Sequence, residues 1–196
     1  MAKKFKGKYR IESIRKPGWD YRWNAAYFIT ICTKNREHFF GEIKDGQMEL
    51  SKIGQLAQTY WNQIPAHFPY AQLDAFVVML NHVHGIVIIH HAQDDHVESL
   101  HATTPQSQPL HARAPQDPED QKKKDGKMAA ISPKYGSLSS IIRSYKSAVT
   151  KDARGLNEYF AWQSKFHDNI IRDEKAYYNI QRYIRHNPQK WEENTF

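Results

Sequence analysis

The sequence predicts an α+β fold with a mainly antiparallel sheet. Three observations carry that expectation. Short runs rich in β-branched and aromatic residues alternate with stretches of helical periodicity. An Asp-Gly step joins two of the short runs as a tight hairpin. The resulting order of strand, hairpin, helix, strand and strand belongs to the α+β class. With 196 residues, the chain can fill the core of one domain carrying an insertion.

Tyr27 to Thr33 has the β-branched and aromatic composition of a strand. Phe39 to Ile43 and Gln47 to Leu50 flank Lys44-Asp45-Gly46 as a hairpin. Ser51 can cap a helix reaching about Ala66, with Ile53, Leu56, Ala57, Tyr60 and Ile64 as its apolar stripe and Pro65 and Pro69 at its end. Strands follow from about Leu73 to Met79 and from about His82 to Ile89. Beyond Gly136, Leu138, Ile141, Ile142, Tyr145, Ala148 and Val149 recur at helical spacing, up to a loop expected around Gly155. An extended run ends at Asn169 to Arg172, and Asp173 can cap a last helix that reaches about Asn187.

Two segments stand apart. Residues 1–23 form a basic arm with Tyr9, Trp19, Tyr21 and Trp23 among the charges; it reads either as a surface that lies along phosphates and stacks on bases or as a loosely ordered tail. Residues 91–134 hold five prolines, many polar residues and almost no large apolar ones, so disorder is expected there. Within it Leu100-His101-Ala102 recurs as Leu110-His111-Ala112, and its histidines His91, His96, His101 and His111 are discounted as ligands. A single domain over 24–192, interrupted at 91–134, is the expected organisation.

The formal charge is +7, which favours a polyanionic partner such as nucleic acid, although solubility alone also accounts for it. One cysteine, Cys32, permits no internal disulfide. No apolar run reaches the length of a membrane span, and a cytoplasmic location is the expectation.

The most apolar run, Val77 to Ile89, contains His82 and His84 with Val83 between them. On a strand, i and i+2 share a face, so the two imidazoles project together and make half of a metal site, or else are two surface histidines that happen to alternate. On the last helix Tyr177, Ile180 and Ile184 define the apolar face. Tyr183 lies about 100° from its centre, beside Asn187 and on the flank of Asn179 and Lys190. Tyr183 is therefore a candidate nucleophile or a boundary tyrosine with its hydroxyl in water, whereas Tyr145 and Tyr177 belong to core stripes.

Met79-Leu80-Asn81-His82-Val83-His84, then Trp162-Gln163, then Ile171-Arg172-Asp173-Glu174-Lys175, then Tyr183-Ile184-Arg185-His186-Asn187-Pro188, resemble the REP-associated tyrosine transposases. These are single-tyrosine transposases of the His-hydrophobic-His nuclease superfamily. The resemblance runs from about Ala25 to Trp191 apart from the insertion. It implies a ferredoxin-like α+β domain with the histidine pair on a central strand, a homodimer, and single-stranded or hairpin DNA as partner. By position it makes Tyr183 the nucleophile, and His82, His84 and Asn187 the metal ligands. Two departures are Leu80, where the family commonly has proline, and the insertion itself.

Such a site would take Mg²⁺ or Mn²⁺, with the nitrogen ligands leaning toward Mn²⁺. Tyr183 would attack phosphorus and retain a 5′-phosphotyrosine link. Arg143, Lys146 and Arg172 are candidates for phosphate contacts. Competing readings are a protein of the same fold that binds DNA hairpins without cutting them, and a hydrolase of other phosphoesters with zinc on the histidines.

Overall fold

Eight residues of β1 (Ala25–Cys32) alternate Tyr27, Ile29 and Ile31 on one face with Ala26, Phe28, Thr30 and Cys32 on the other, and the fold is built on that alternation. In the computed structural model, residues 15–91 and 133–193 are described. A hairpin, β2 (Gly41–Lys44) and β3 (Gln47–Leu50), precedes α1 (Lys52–Asn62) and the short α2 (Ile64–His67). Then come β4 (Ala71–Val78), β5 (His82–Ile89), α3 (Leu138–Leu156), β6 (His167–Ile171) and α4 (Glu174–His186), with 3-10 turns at Lys34–Arg36 and Pro188–Glu193. The main sheet has the order β4-β5-β1-β6 and every neighbour is antiparallel. Setting the small hairpin aside, β-α-β-β-α-β in that order is the ferredoxin-like arrangement.

The larger core lies on the face of Tyr27, Ile29, Ile31, Val83 and Val87, under α1 and α3. Trp61 of α1 stacks on Phe76 at 4.4 Å between ring centroids and meets Tyr145 of α3 edge-on, while the Tyr145 hydroxyl donates to the Ala57 carbonyl at 3.1 Å. Gly85 admits this ring to the sheet: a Cβ there would lie 2.3 Å from Trp61 Cζ2. Gly85→Ala is therefore expected to overpack the core and lower stability by roughly 1–3 kcal/mol. Urea unfolding checks it, and an unchanged midpoint would contradict the packing described.

The other face is covered by α4, through a smaller cluster of Ala75, Ile86 and Ile184 flanked by Phe28, Tyr177 and Ile180. This division leaves His82 and His84 on the α4 side.

Several boundaries depart from the sequence reading for identifiable reasons. The expected helix over 51–66 is two helices, because Pro65 opens a new short turn after α1 has ended. α3 runs through Gly155, where a loop was expected; a glycine in an exposed last turn costs only about 1 kcal/mol and does not break the helix. At the hairpin Asp45 and Gly46 both take positive φ, 50° and 71°, as a two-residue turn between right-twisted strands requires.

Part of the basic arm is packed from Arg15 onward. Arg15 pairs with Asp168 and lies over the Phe166 ring, Trp19 Nε1 donates to the Tyr27 hydroxyl at 3.1 Å, and Tyr21 stacks on Tyr27. Trp19 and Tyr21, read as candidates for base stacking, serve the core instead, and Trp23 alone of the described set stays half exposed. His91, expected on a loose tether, stacks on Tyr70 at 4.6 Å, and its backbone exchanges hydrogen bonds with the Asn24 side chain. Residues 1–14 of the arm and 92–132 of the insertion, including His96, His101 and His111, lie outside the described residues.

Candidate active site on the histidine strand

β5 is an interior strand, and its register places His82 opposite Cys32 and His84 opposite Thr30. Both imidazoles are buried, at 2% and 5% exposure, with Val83 turned into the larger core. Their Nε2 atoms are 3.0 Å apart. Asn81 donates its amide to the Arg36 carbonyl at 3.2 Å, which leaves Asn81 Oδ1 to accept from His82 Nδ1 at 2.7 Å. His82 therefore carries its proton on Nδ1 and presents a lone pair at Nε2. Thr30 Oγ1 lies 2.9 Å from His84 Nδ1 and can take either role. When Thr30 accepts, both Nε2 lone pairs face the same 3.0 Å gap, an arrangement that calls for a cation. When Thr30 donates, a proton on His84 Nε2 fills the gap.

Burial holds both imidazoles neutral, with lesser help from like charge nearby. His82 is lowered to about 4, with Arg36 the second cause. His84 is pushed well below its ordinary value, with His82 the second cause. Neutral imidazole is the ligating form. Among the described residues there is no cluster of three or more His, Cys, Asp or Glu that could hold a metal, so within them further donors to the pair would be amides, hydroxyls or backbone carbonyls.

α4 brings the tyrosine. Its N-terminus is capped by Asp173, whose carboxylate accepts from Ala176 N at 2.8 Å. With Tyr177, Ile180 and Ile184 inward, Tyr183 points sideways, and its hydroxyl lies 3.3 Å from His84 Nε2. The ring stands edge-on to Phe28 and remains 37% exposed, so one side contacts the strand and the other meets solvent. Asp74 fixes the helix. A bulge in β4 between Leu73 and Phe76 sets its carboxylate where the Tyr177 hydroxyl and Gln181 Nε2 both donate to it. Burial, then the hydrogen bond to the Asp74 carboxylate, raises the Tyr177 phenol to about 12.

Asn187 is buried at 4% exposure, one turn past Tyr183 on the same flank. Four residues on, the Trp191 ring lies 5.8 Å from that of His82 and also meets His38 edge-on. Asn187 is thus bracketed in sequence by two residues that touch the histidine pair.

The proposed phosphate contacts are placed elsewhere. Arg143 is exposed on α3, the helix of the opposite face. Lys146 Nζ donates to the carbonyls of Gln163 at 2.5 Å and Ser164 at 3.4 Å, and burial, then the charge of Arg15, lowers it to about 8. It fastens the 162–164 segment to α3. Arg172 follows Ile171, which pairs with Ala26, so it sits about 20 Å along the sheet from Cys32 and His82. Thr30, Asp74 and Trp191 were not singled out from the sequence. The Thr30 role depends on strand register and the Asp74 role on a bulge, neither of which a sequence displays.

By architecture the chain is a ferredoxin-like α+β protein with a tyrosine set against a buried histidine pair. It has the fold of a REP-associated tyrosine transposase whose structure was solved bound to a REP hairpin. The TM-score is 0.53 at 19% identity, covering 90% of this chain and 74% of that one. A transposase-like protein of Deinococcus radiodurans R1 gives a TM-score of 0.42 at 14% identity, covering 87% of this chain and 96% of that one. No protein-family model matches the sequence. The chain belongs to the same family as an uncharacterized protein of Haemophilus influenzae (strain Rd), 37% identical over 189 residues, which are 96% of this chain and 93% of that protein.

Proposed function

We propose that the chain is a metal-dependent DNA endonuclease and strand transferase of the REP-associated tyrosine transposase type, acting on single-stranded, hairpin-bearing DNA. The observation that supports this most is the Tyr183 hydroxyl 3.3 Å from His84 Nε2, a contact between groups 99 residues apart in sequence. His82, His84 and Asn187 would hold Mg²⁺ or Mn²⁺, which would polarise a non-bridging phosphate oxygen and offset the charge that builds as phosphorus is attacked.

The Tyr183 oxygen forms the new bond to phosphorus as the bond to the 3′-oxygen breaks. Tyr183 loses its proton, the departing 3′-oxygen gains one, and the 5′-phosphate stays on the tyrosine. Because one phosphodiester replaces another, the step reverses when a second 3′-hydroxyl arrives. Asp74 keeps the helix from rotating and Phe28 supports the phenol ring, so attack starts from a fixed geometry. His82, His84 and Tyr183 meet within one chain, so the homodimer proposed from the resemblance would not be needed to bring them together. No helix among the described residues is long and apolar enough to cross a membrane, and a cytoplasmic location is proposed.

The test is a labelled DNA hairpin with single-stranded flanks, incubated with the protein and Mn²⁺ or with chelator and then run on a denaturing gel. A protein-linked label that requires metal, together with a free 3′-hydroxyl that a polymerase extends, is the expected result. Tight hairpin binding with no adduct would favour a binding module, and a free 5′-phosphate product would favour a hydrolase.

A further inference from the structure

Outside the nucleophile itself, α4 presents a face that no other described element covers. Residues 175–190 include Lys175, Arg182, Arg185 and Lys190 and no Asp or Glu. Tyr178, Arg182 and His186 are spaced four apart and form one row along the helix. Asn179, Tyr183 and Asn187 form the row beside it. The first row is exposed throughout, and Tyr178 is 64% exposed. Between the rows Asn179, Arg182, Tyr183, His186 and Lys190 line an open recess. Its groups are set for an incoming ligand. Arg182 Nη2 donates to Asn179 Oδ1 at 3.3 Å, which steadies the guanidinium, and His186 Nδ1 donates to the Arg182 carbonyl at 2.8 Å, which leaves Nε2 for an outside partner.

We infer that this outer flank of α4 is the track along which single-stranded DNA reaches the tyrosine: a base stacks on Tyr178, and Arg182 and Lys190 hold phosphates on either side of Tyr183. The inference rests on the proposed function for its substrate class. Charge complementarity and an exposed aromatic among cations are the features that sequence-tolerant single-strand binding uses. The competing basic recess, beside Lys146, Lys151, Arg154 and Trp162, is weaker, because Lys146 already bonds two carbonyls and Arg154 Nε donates to the Phe160 carbonyl at 3.2 Å. That recess also lacks the tyrosine.

The test uses the full chain carrying Tyr183→Phe, so that binding is read without cleavage, and a fluorescein-labelled thymidine 20-mer followed by anisotropy over a range of salt. Adding R182A and K190A is expected to weaken binding at least about tenfold and to lower the salt slope by about 1.4, the loss of two single-strand phosphate contacts. Tyr178→Ala is expected to weaken binding about fivefold or more with the slope unchanged, as loss of stacking does. Circular dichroism of each variant separates these effects from unfolding. Unchanged affinity in R182A/K190A, with the loss appearing instead in K151A/R154A, would overturn the inference, as would no binding by the parent protein. Its failure is distinct from failure of the function: adduct formation by wild type with this track silent removes only the track, while binding along the track without any adduct removes only the cleavage chemistry.

Discussion

Tyr183→Phe is expected to abolish the protein–DNA adduct and to lower strand cleavage by at least about three orders of magnitude, since no other group would replace the attacking oxygen. The same change should hardly touch the fold. Tyr183 is 37% exposed, its hydroxyl makes a 3.3 Å contact with His84, and the phenyl ring that meets Phe28 is retained. Loss of such a bond costs about 1 kcal/mol or less. The variant thus separates chemistry from architecture, and a denaturing gel with labelled hairpin DNA reads the outcome. An adduct that persists in Tyr183→Phe would show that the nucleophile is another residue. Tyr177→Phe is the useful contrast: its hydroxyl bonds Asp74, so its removal should loosen α4 and slow adduct formation without abolishing it.

The second large effect is on stability against acid. Burial lowers His82 from 6.5 to about 4 in the folded chain, so between those values the unfolded chain binds a proton that the folded chain refuses. Stability therefore rises with pH across that window and is fully present above about 6.5; it falls as the pH drops toward 4. The shift corresponds to about 3 kcal/mol for His82. His82→Gln removes one of two buried imidazoles and should lessen the wild-type dependence between pH 4 and 6.5, with His84 supplying the slope that remains, measured by urea unfolding at steps across the range. Parallel curves for the two proteins would mean that the imidazole is not held neutral by its surroundings. Manganese should raise the wild-type midpoint at neutral pH by mass action and leave that of the variant nearly unmoved.

Much of this was legible in the sequence, and the reasons differ by element. His82–Ile89 is found at its expected bounds because an apolar run between two turns has a single buried register. Gln47–Leu50 is also found as expected, since Asp45-Gly46 admits few alternatives. Helical angle set Tyr183 off the core face that Tyr177 joins, because α4 is amphipathic and one-sided, while the nucleophile role came from the resemblance. Periodicity says which residues share a face but not which strands are neighbours. The partnership of Thr30 with His84 follows from β1 lying beside β5, and the grip of Asp74 on α4 follows from a bulge in β4. Lys146 shows the same limit from the other side: its charge suggested phosphate, while its position on α3 gives it to the carbonyls of Gln163 and Ser164.

The contact between Tyr183 and His84 closes a loop of 99 residues, which bears on when the site comes into being. Loop entropy grows only with the logarithm of length, so the presence of residues 92–133 within that loop adds about half a kcal/mol to the cost of closing it. Timing is affected more than stability. During synthesis β1, β4 and β5 leave the ribosome well before α4, so the histidine strand is made while its tyrosine is still untranslated. A nascent chain would carry the two imidazoles with no tyrosine beside them, and on the proposed function strand cutting would begin only once the helix had been made and had docked.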